Sequence, residues 1–175
     1  EVNVLVSSVI ATSAGIGVVS ALQFSNRLLE LLLGVFAVSI GTVVLTELSE
    51  NAKRGEWEKF TGHLLFSVNA IAILTIPASI LAMMNSREIV ALVFKARAFG
   101  AASVELTAAI FFLHIAGLFC IAANRVLAPA FYAQEDTVTP TGAGMVSFAV
   151  NIVLCLLLVG PLKGPGIALA ATIAA

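Results

Sequence analysis

Between residues 2 and 46 the only charged side chains are Arg27 and Glu30. A spacing of three puts them on one face of a helix, and Asn26 sits beside the cation. A cation at bilayer depth costs roughly 2.5–3.5 kcal/mol on translocon scales, so some interaction must offset it. Two chemistries would do so. Arg27 pairs with Glu30 near a helix end and snorkels to the interface, or it faces a hydrated cavity and binds an anion such as a phosphate. The planar guanidinium suits bidentate contact with that group, and Glu30 would then orient it. The spacing alone leaves both open. Arg125, with Asn124 before it and Pro129 after it, poses the same question, and anchoring at headgroup level is its simplest job. Ser7, Ser147, Asn151 and Thr172 are polar positions in apolar surroundings. Such groups ordinarily make interhelical hydrogen bonds worth about 0.6 kcal/mol each; cation coordination is the alternative.

Other chemistries lack their residues. The sequence has no His-Glu-x-x-His, no Gly-x-Ser-x-Gly, no phosphate-binding glycine loop and no carboxylate pair outside the polar connections. It therefore points to no enzyme. His63 and His114 are far apart and lack neighbouring metal ligands, so His63 reads as interfacial and His114 as a packed or cavity-facing polar residue. Cys120 and Cys155 lie in apolar runs without redox or metal-ligand spacing and behave as small hydrophobes. Nine basic and ten acidic side chains give a net charge of −1. No basic block neutralises a row of phosphates, which excludes nucleic acid as a partner.

The elements that carry these residues are spanning helices. Composition is 60% hydrophobic and 11% charged, far below the quarter or so of charged residues in a soluble domain. Charge-free runs cover 2–26, 31–46, 60–86, 106–124, 137–162 and 164–175, and roughly 20 apolar residues suffice to cross about 30 Å of hydrocarbon. The expected architecture is an all-α polytopic transmembrane bundle, with about four full spans and two partial ones. The approximate helices are 2–14, 18–48, 58–84, 102–128, 139–159 and 165–175. Gly15 and Gly17 make a cheap reversal between the first two. Residues 49–59 form the most polar stretch and read as a water-exposed loop, with Trp57 as an interfacial anchor. Pro77 predicts a kink or a supported break in the third helix. The short apolar run 89–94 suits an interfacial helix or a packed loop. Residue 1 is Glu, and the run 164–175 is too short to span, so the expectation is a piece of a longer protein. Lys and Arg are shared evenly between the two sides, and charge bias does not set the topology.

The order of features resembles one family. Arg27-Leu-Leu-Glu-Leu-Leu-Leu-Gly34, Leu48-Ser49, the segment from Val93 to Phe99 and, most specifically, Pro129-Ala-Phe-Tyr followed by Asp136-Thr-Val-Thr-Pro140 are similar to the MurJ/MviN lipid II flippases of the multidrug/oligosaccharidyl-lipid/polysaccharide exporter superfamily. The match runs from the family's seventh to its twelfth transmembrane helix. The resemblance implies a multi-pass protein of the bacterial inner membrane that moves a lipid-linked peptidoglycan precursor by alternating access, in the service of cell-wall biogenesis and cell shape. Its partners would be the lipid bilayer and an undecaprenyl-pyrophosphate-linked substrate, with cell-wall synthesis proteins as candidates. Arg27 matches the arginine that projects toward the pyrophosphate, which favours the cavity reading and makes Arg27, Glu30 and Asn26 the substrate-binding set, with Arg125 and Asn124 as secondary polar positions.

No cofactor is implied; a sodium ion or the membrane potential would supply the driving force. Ser7, Asn151 and Thr172 fall near the family's sodium site, although the carboxylates used there are absent. The sequence also departs at Asn26, where an acidic residue is common, at Leu32, where a proline often follows, and at Val138, where a basic residue is usual. The family topology would put residues 49–59 and 134–140 in the cytoplasm and 85–100 outside. Two other functions stay open at this point: a polysaccharide-lipid or multidrug exporter of the same superfamily, and a non-transporting membrane scaffold for cell-wall assembly.

Overall fold

The computed structural model describes residues 7, 9–12, 15, 17–94 and 100–175, with the backbone alone for 35–45. The described residues form helices and no strand: α1 (Val18–Arg54), α2 (Trp57–Met84), α3 (Ser86–Phe94), α4 (Ala101–Ala116), α5 (Leu118–Ala133) and α6 (Val138–Ala174). Residues 9–12 are also helical; the rest of the helix expected over 2–14 lies largely outside the described residues. Among those residues two helices, α2 and α6, are long and apolar enough to cross a membrane, or three spans if the bent pair α4 and α5 counts as one.

Helix α1 starts after Gly17, which holds φ 83° in the left-handed region. It does not stop at Leu48, as the polar composition beyond suggested, but continues to Arg54. The added turns are supported by the Glu50–Arg54 ion pair at 2.5 Å and by Lys53 and Arg54 in the last turn, where cations complement the helix dipole. Gly55, at φ 70°, ends the helix. Its amide donates to the Ala52 carbonyl, and the amide of Glu56 donates to that of Asn51, the paired bonds of a Schellman termination. At 1.5 Å per residue a helix of 37 residues is about 55 Å long, so its polar end projects beyond the hydrocarbon. The exposed loop is thus reduced to a tight turn. Trp57 follows it, half exposed at 54%, with its ring against Phe60.

Helix α2 runs unbroken through Pro77. Its packed face is Phe60, Ser67, Ile71, Thr75, Ser79 and Ala82. The Ser67, Thr75 and Ser79 hydroxyls donate to carbonyls one turn back, so these polar groups are satisfied without a partner helix. The opposite face exposes Phe66, Ile73, Leu81 and Met84, as a lipid-facing surface must. Helix α3 is the short element expected over 89–94, lengthened at its start and tied to α4 by Arg87 and Glu105 at 2.8 Å.

The expected single helix over 102–128 is two helices, bent by 46° between Ala116 and Leu118. At Gly117 the amide donates to His114, three residues back, so the Leu113 carbonyl loses the acceptor role that α-geometry would give it. The Thr172 hydroxyl donates to that carbonyl instead, at 2.8 Å. The expected fifth and sixth helices are the two arms of α6, separated at Lys163, whose φ of 51° and ψ of −128° are not helical. Prolines at 161 and 165 deny the backbone the amides a continuous helix would use. The arms fold back on one another: Ser147 Oγ donates to the Ala174 carbonyl at 2.5 Å, and a Cβ on Gly166 would collide with the Leu158 carbonyl.

Helix α1 is central and packs against α2, α4, α5 and α6. Two apolar clusters surround it. One joins Leu28, Leu29 and Leu33 with Phe111, Ile115, Leu118 and Val126, and the other joins Val18, Ala21 and Leu22 with Ile110, Cys155 and Ile167.

Candidate functional site

The periodicity of α1 separates two faces. Val18, Ala21, Leu22, Ser25, Leu28, Leu29 and Leu33 are buried, whereas Ser20, Gln23, Arg27, Glu30, Leu31 and Gly34 are exposed. At 3.6 residues per turn the exposed set falls within a sector of about 100°. The central helix of an apolar bundle therefore carries one open stripe, and four of its six members are polar. Asn26 is half-buried at the edge of that stripe.

Arg27 and Glu30 share the stripe, as their spacing required, but no ion pair joins them, and Arg27 makes no hydrogen bond among the described residues. The guanidinium is thus not tied to its own helix among the described residues of this chain. Its five donors have no acceptor among the described residues, and Glu30 shares the exposed stripe without consuming them.

The secondary positions lie elsewhere. Asn124 donates its amide to the Ala175 carbonyl and lines an open groove of about 700 Å³ between α5 and α6, with Phe131, Pro140, Ser147, Val150 and Ile173. Arg125 is exposed and does not line that groove. No hydrogen bond or ion pair joins either of them to Arg27 or Glu30 among the described residues.

Of the three residues expected near a sodium ion, two are hydrogen-bonded to one another. Ser7 Oγ donates to Asn151 Oδ1 at 3.3 Å, and Cys155 Sγ lies 3.5 Å from the same oxygen. Asn151 is fully buried, and its Nδ2 has no hydrogen-bond partner among the described residues. Thr172 is engaged at the α4–α5 bend. The described residues hold no group of three or more His, Cys, Asp or Glu side chains suited to a metal.

Sequence reasoning missed one feature behind the stripe. Ser25 Oγ and His114 Nδ1 are 2.7 Å apart, with Ser25 at 0% and His114 at 4% exposure. Nothing local signals a contact between residues on α1 and α4. His63, expected at the interface, is exposed and lies 3.1 Å from Asn51 Nδ2 and 3.4 Å from Glu47 Oε2, closing the α1–α2 hairpin. At the start of α6, Asp136 Oδ1 accepts the amides of Val138 and Thr139, each at 3.0 Å. The hydrogen bonds from Thr139 hold its carboxyl below the usual carboxylate value.

Fold and stripe together define a polytopic helical membrane protein with a polar face on its central helix. The family model described as lipid II flippase MurJ matches residues 1–175, and the chain belongs to that family. It is 45% identical over 166 residues to a probable lipid II flippase MurJ of Treponema pallidum (strain Nichols), covering 95% of this chain and 32% of that protein. A probable lipid II flippase MurJ of Rhizobium tropici is 33% identical over 174 residues, with 99% and 32% covered. A solved lipid II flippase MurJ in an inward closed conformation superposes with a TM-score of 0.92 at 26% identity, covering 99% of this chain and 37% of that one. A transporter described as of the MOP superfamily, from Pyrococcus furiosus, reaches a TM-score of 0.84 at 16% identity, with 99% of this chain and 38% of that one covered, and shares the fold alone. The chain spans about a third of the length of the curated relatives it matches.

Proposed function

We propose that this chain forms one lobe of a flippase that carries lipid II, the lipid-linked peptidoglycan precursor, across the bacterial inner membrane by alternating access. Arg27 is the substrate-facing cation. It binds the pyrophosphate through charge-assisted, bidentate hydrogen bonds, with Glu30 and Asn26 orienting it, while the acyl chain stays toward lipid. No bond of the substrate is made or broken, so the protein is a carrier and not an enzyme. Rocking of two lobes about the central cavity exchanges access between the leaflets. Arg125 anchors at headgroup level beside Asn124.

The observation that carries this reading is an arginine in the body of an apolar bundle that faces the open side and has no partner among the described residues. An unpaired cation at that depth is costly unless water or a ligand attends it. As for the driving force, a sodium ion would find two neutral oxygens at Ser7 and Asn151, and the membrane potential is the other source. Vesicle transport with sodium replaced by choline, at clamped potential, separates the two.

The test of function is complementation. Arg27→Ala in the full-length protein should fail to support growth of a flippase-depleted strain although the protein still inserts. Normal growth would overturn the role of Arg27. The second reading, an exporter of another cargo in the same superfamily, draws no support from the Pyrococcus furiosus neighbour, which shares the fold alone. Accumulation of untranslocated precursor on depletion would distinguish lipid II transport from it.

A further inference from the structure

The side of α1 opposite Arg27 holds a buried polar contact that the bundle does not need for packing. Ser25 and His114 meet at 2.7 Å, almost fully enclosed, within apolar surroundings made by Leu22, Leu29 and Ile115. Two residues along a helix correspond to a rotation of about 200°. A bond that fixes Ser25 toward α4 therefore fixes Arg27 away from α4, on the open side. Apart from Thr107, whose buried hydroxyl has no hydrogen-bond partner among the described residues, the other buried side chains of α4 are apolar: Val104, Ala108, Ile110, Phe111 and Ile115. In a lipid environment such contacts provide no hydrophobic force that prefers one rotation over another, because lipid tails are equally apolar. A hydrogen bond is directional, and one set that deep has no water to replace it.

We propose that the Ser25–His114 bond is a rotational clasp, and that His114 is a positioning residue that acts on substrate through Arg27. The clasp holds the stripe of Ser20, Gln23, Arg27 and Glu30 toward the open side, so the ligand does not have to supply the free energy of orienting the helix. It rests on the reading of Arg27 as the pyrophosphate ligand, but its structural half can be measured without substrate.

Two half-buried residues flank the stripe symmetrically and make the measurement possible. Phe24, whose ring lies 4.7 Å from that of Phe94, and Asn26 sit about 80° to either side of its centre. The full-length protein in membranes is given one reactive cysteine, by Phe24→Cys or Asn26→Cys, with the exposed Cys120 replaced by Ala, and labelled with a charged methanethiosulfonate. Ser25→Ala, the mildest lesion, should change the two labelling rates in opposite directions by about threefold, the factor to which an interhelical hydrogen bond of about 0.6 kcal/mol converts. His114→Leu should do the same. His114→Asn places an amide atom where Nδ1 stood and should restore the parent pattern. Unchanged rates at both positions in Ser25→Ala would overturn the clasp, and so would rates that rise together, the mark of simple loosening. Binding of the pyrophosphate lipid to Arg27→Ala, measured separately, isolates the other assumption. Opposite rate changes alongside undiminished binding would leave the clasp standing and refute the role of Arg27.

Discussion

Gly117 and Thr172 should behave as a coupled pair whose sign can be worked from the structure. A Cβ placed on Gly117 would lie 2.7 Å from Thr172 Cγ2, 3.2 Å from its Cβ and 3.3 Å from its Oγ1. The first distance is closer than carbon atoms approach, and overpacking of this kind costs about 1–3 kcal/mol. Against it stands the smaller conformational entropy that alanine loses on folding relative to glycine, worth about 0.4–1 kcal/mol. Gly117 has φ −91° and ψ 2°, which alanine tolerates, so backbone strain does not enter. Gly117→Ala alone should thus be neutral to destabilising by about 2.6 kcal/mol. Thr172→Ser deletes the methyl that clashes and keeps the hydroxyl on the Leu113 carbonyl; in that background Gly117→Ala should be neutral or stabilising. The double-mutant cycle, read by reversible unfolding of the full-length protein in mixed micelles, should show a coupling of about 1–3 kcal/mol. Additive effects would refute the claim that Thr172 fills the bend.

Further outcomes follow from the helix ends. Gly55→Ala, at φ 70°, should destabilise the α1–α2 turn by about 1 kcal/mol, measured in the same unfolding assay, whereas Gly62→Ala, mid-helix with open space around it, should not destabilise. Asp136→Ala should strip the Val138 and Thr139 amides of their acceptor, and hydrogen exchange at those two amides should accelerate. Because hydrogen bonding holds the Asp136 carboxyl below its usual value, its contribution is present above the ordinary carboxylate pKa. It is lost as pH falls through the lowered value, so acid should reproduce the exchange phenotype of Asp136→Ala.

The spanning helices were legible because charge-free runs such as 60–86 leave few alternatives to a helix in lipid. The Arg27–Glu30 face was legible from spacing alone. What escaped is tertiary or balanced between local forces. Residues 49–54 look like a loop by polarity, and only the Glu50–Arg54 pair together with the Gly55 termination turns them into helix. A glycine at 117 is compatible with a straight helix until Thr172, from another element, occupies the space and takes the freed carbonyl. Nor does anything local signal that the Thr172 hydroxyl donates to the Leu113 carbonyl at the bend. Ser25 and His114 carry no motif, and their meeting depends on how α1 lies against α4. Asn26 and Arg27 are adjacent in sequence, yet helical rotation leaves one half-buried and the other open.

The central claim is that the Arg27 guanidinium meets a diphosphate on a lipid. The direct measurement is equilibrium binding of an undecaprenyl-pyrophosphate-linked ligand to the purified full-length protein and to its Arg27→Ala and Arg27→Lys variants. Hydrogen bonds to a charged group are worth about 1.5–3 kcal/mol, so Arg27→Ala should weaken binding by about ten- to a hundredfold. Arg27→Lys, which keeps the charge but loses the bidentate fork, should fall between. Affinity for the lipid that is unchanged in Arg27→Ala would contradict the account.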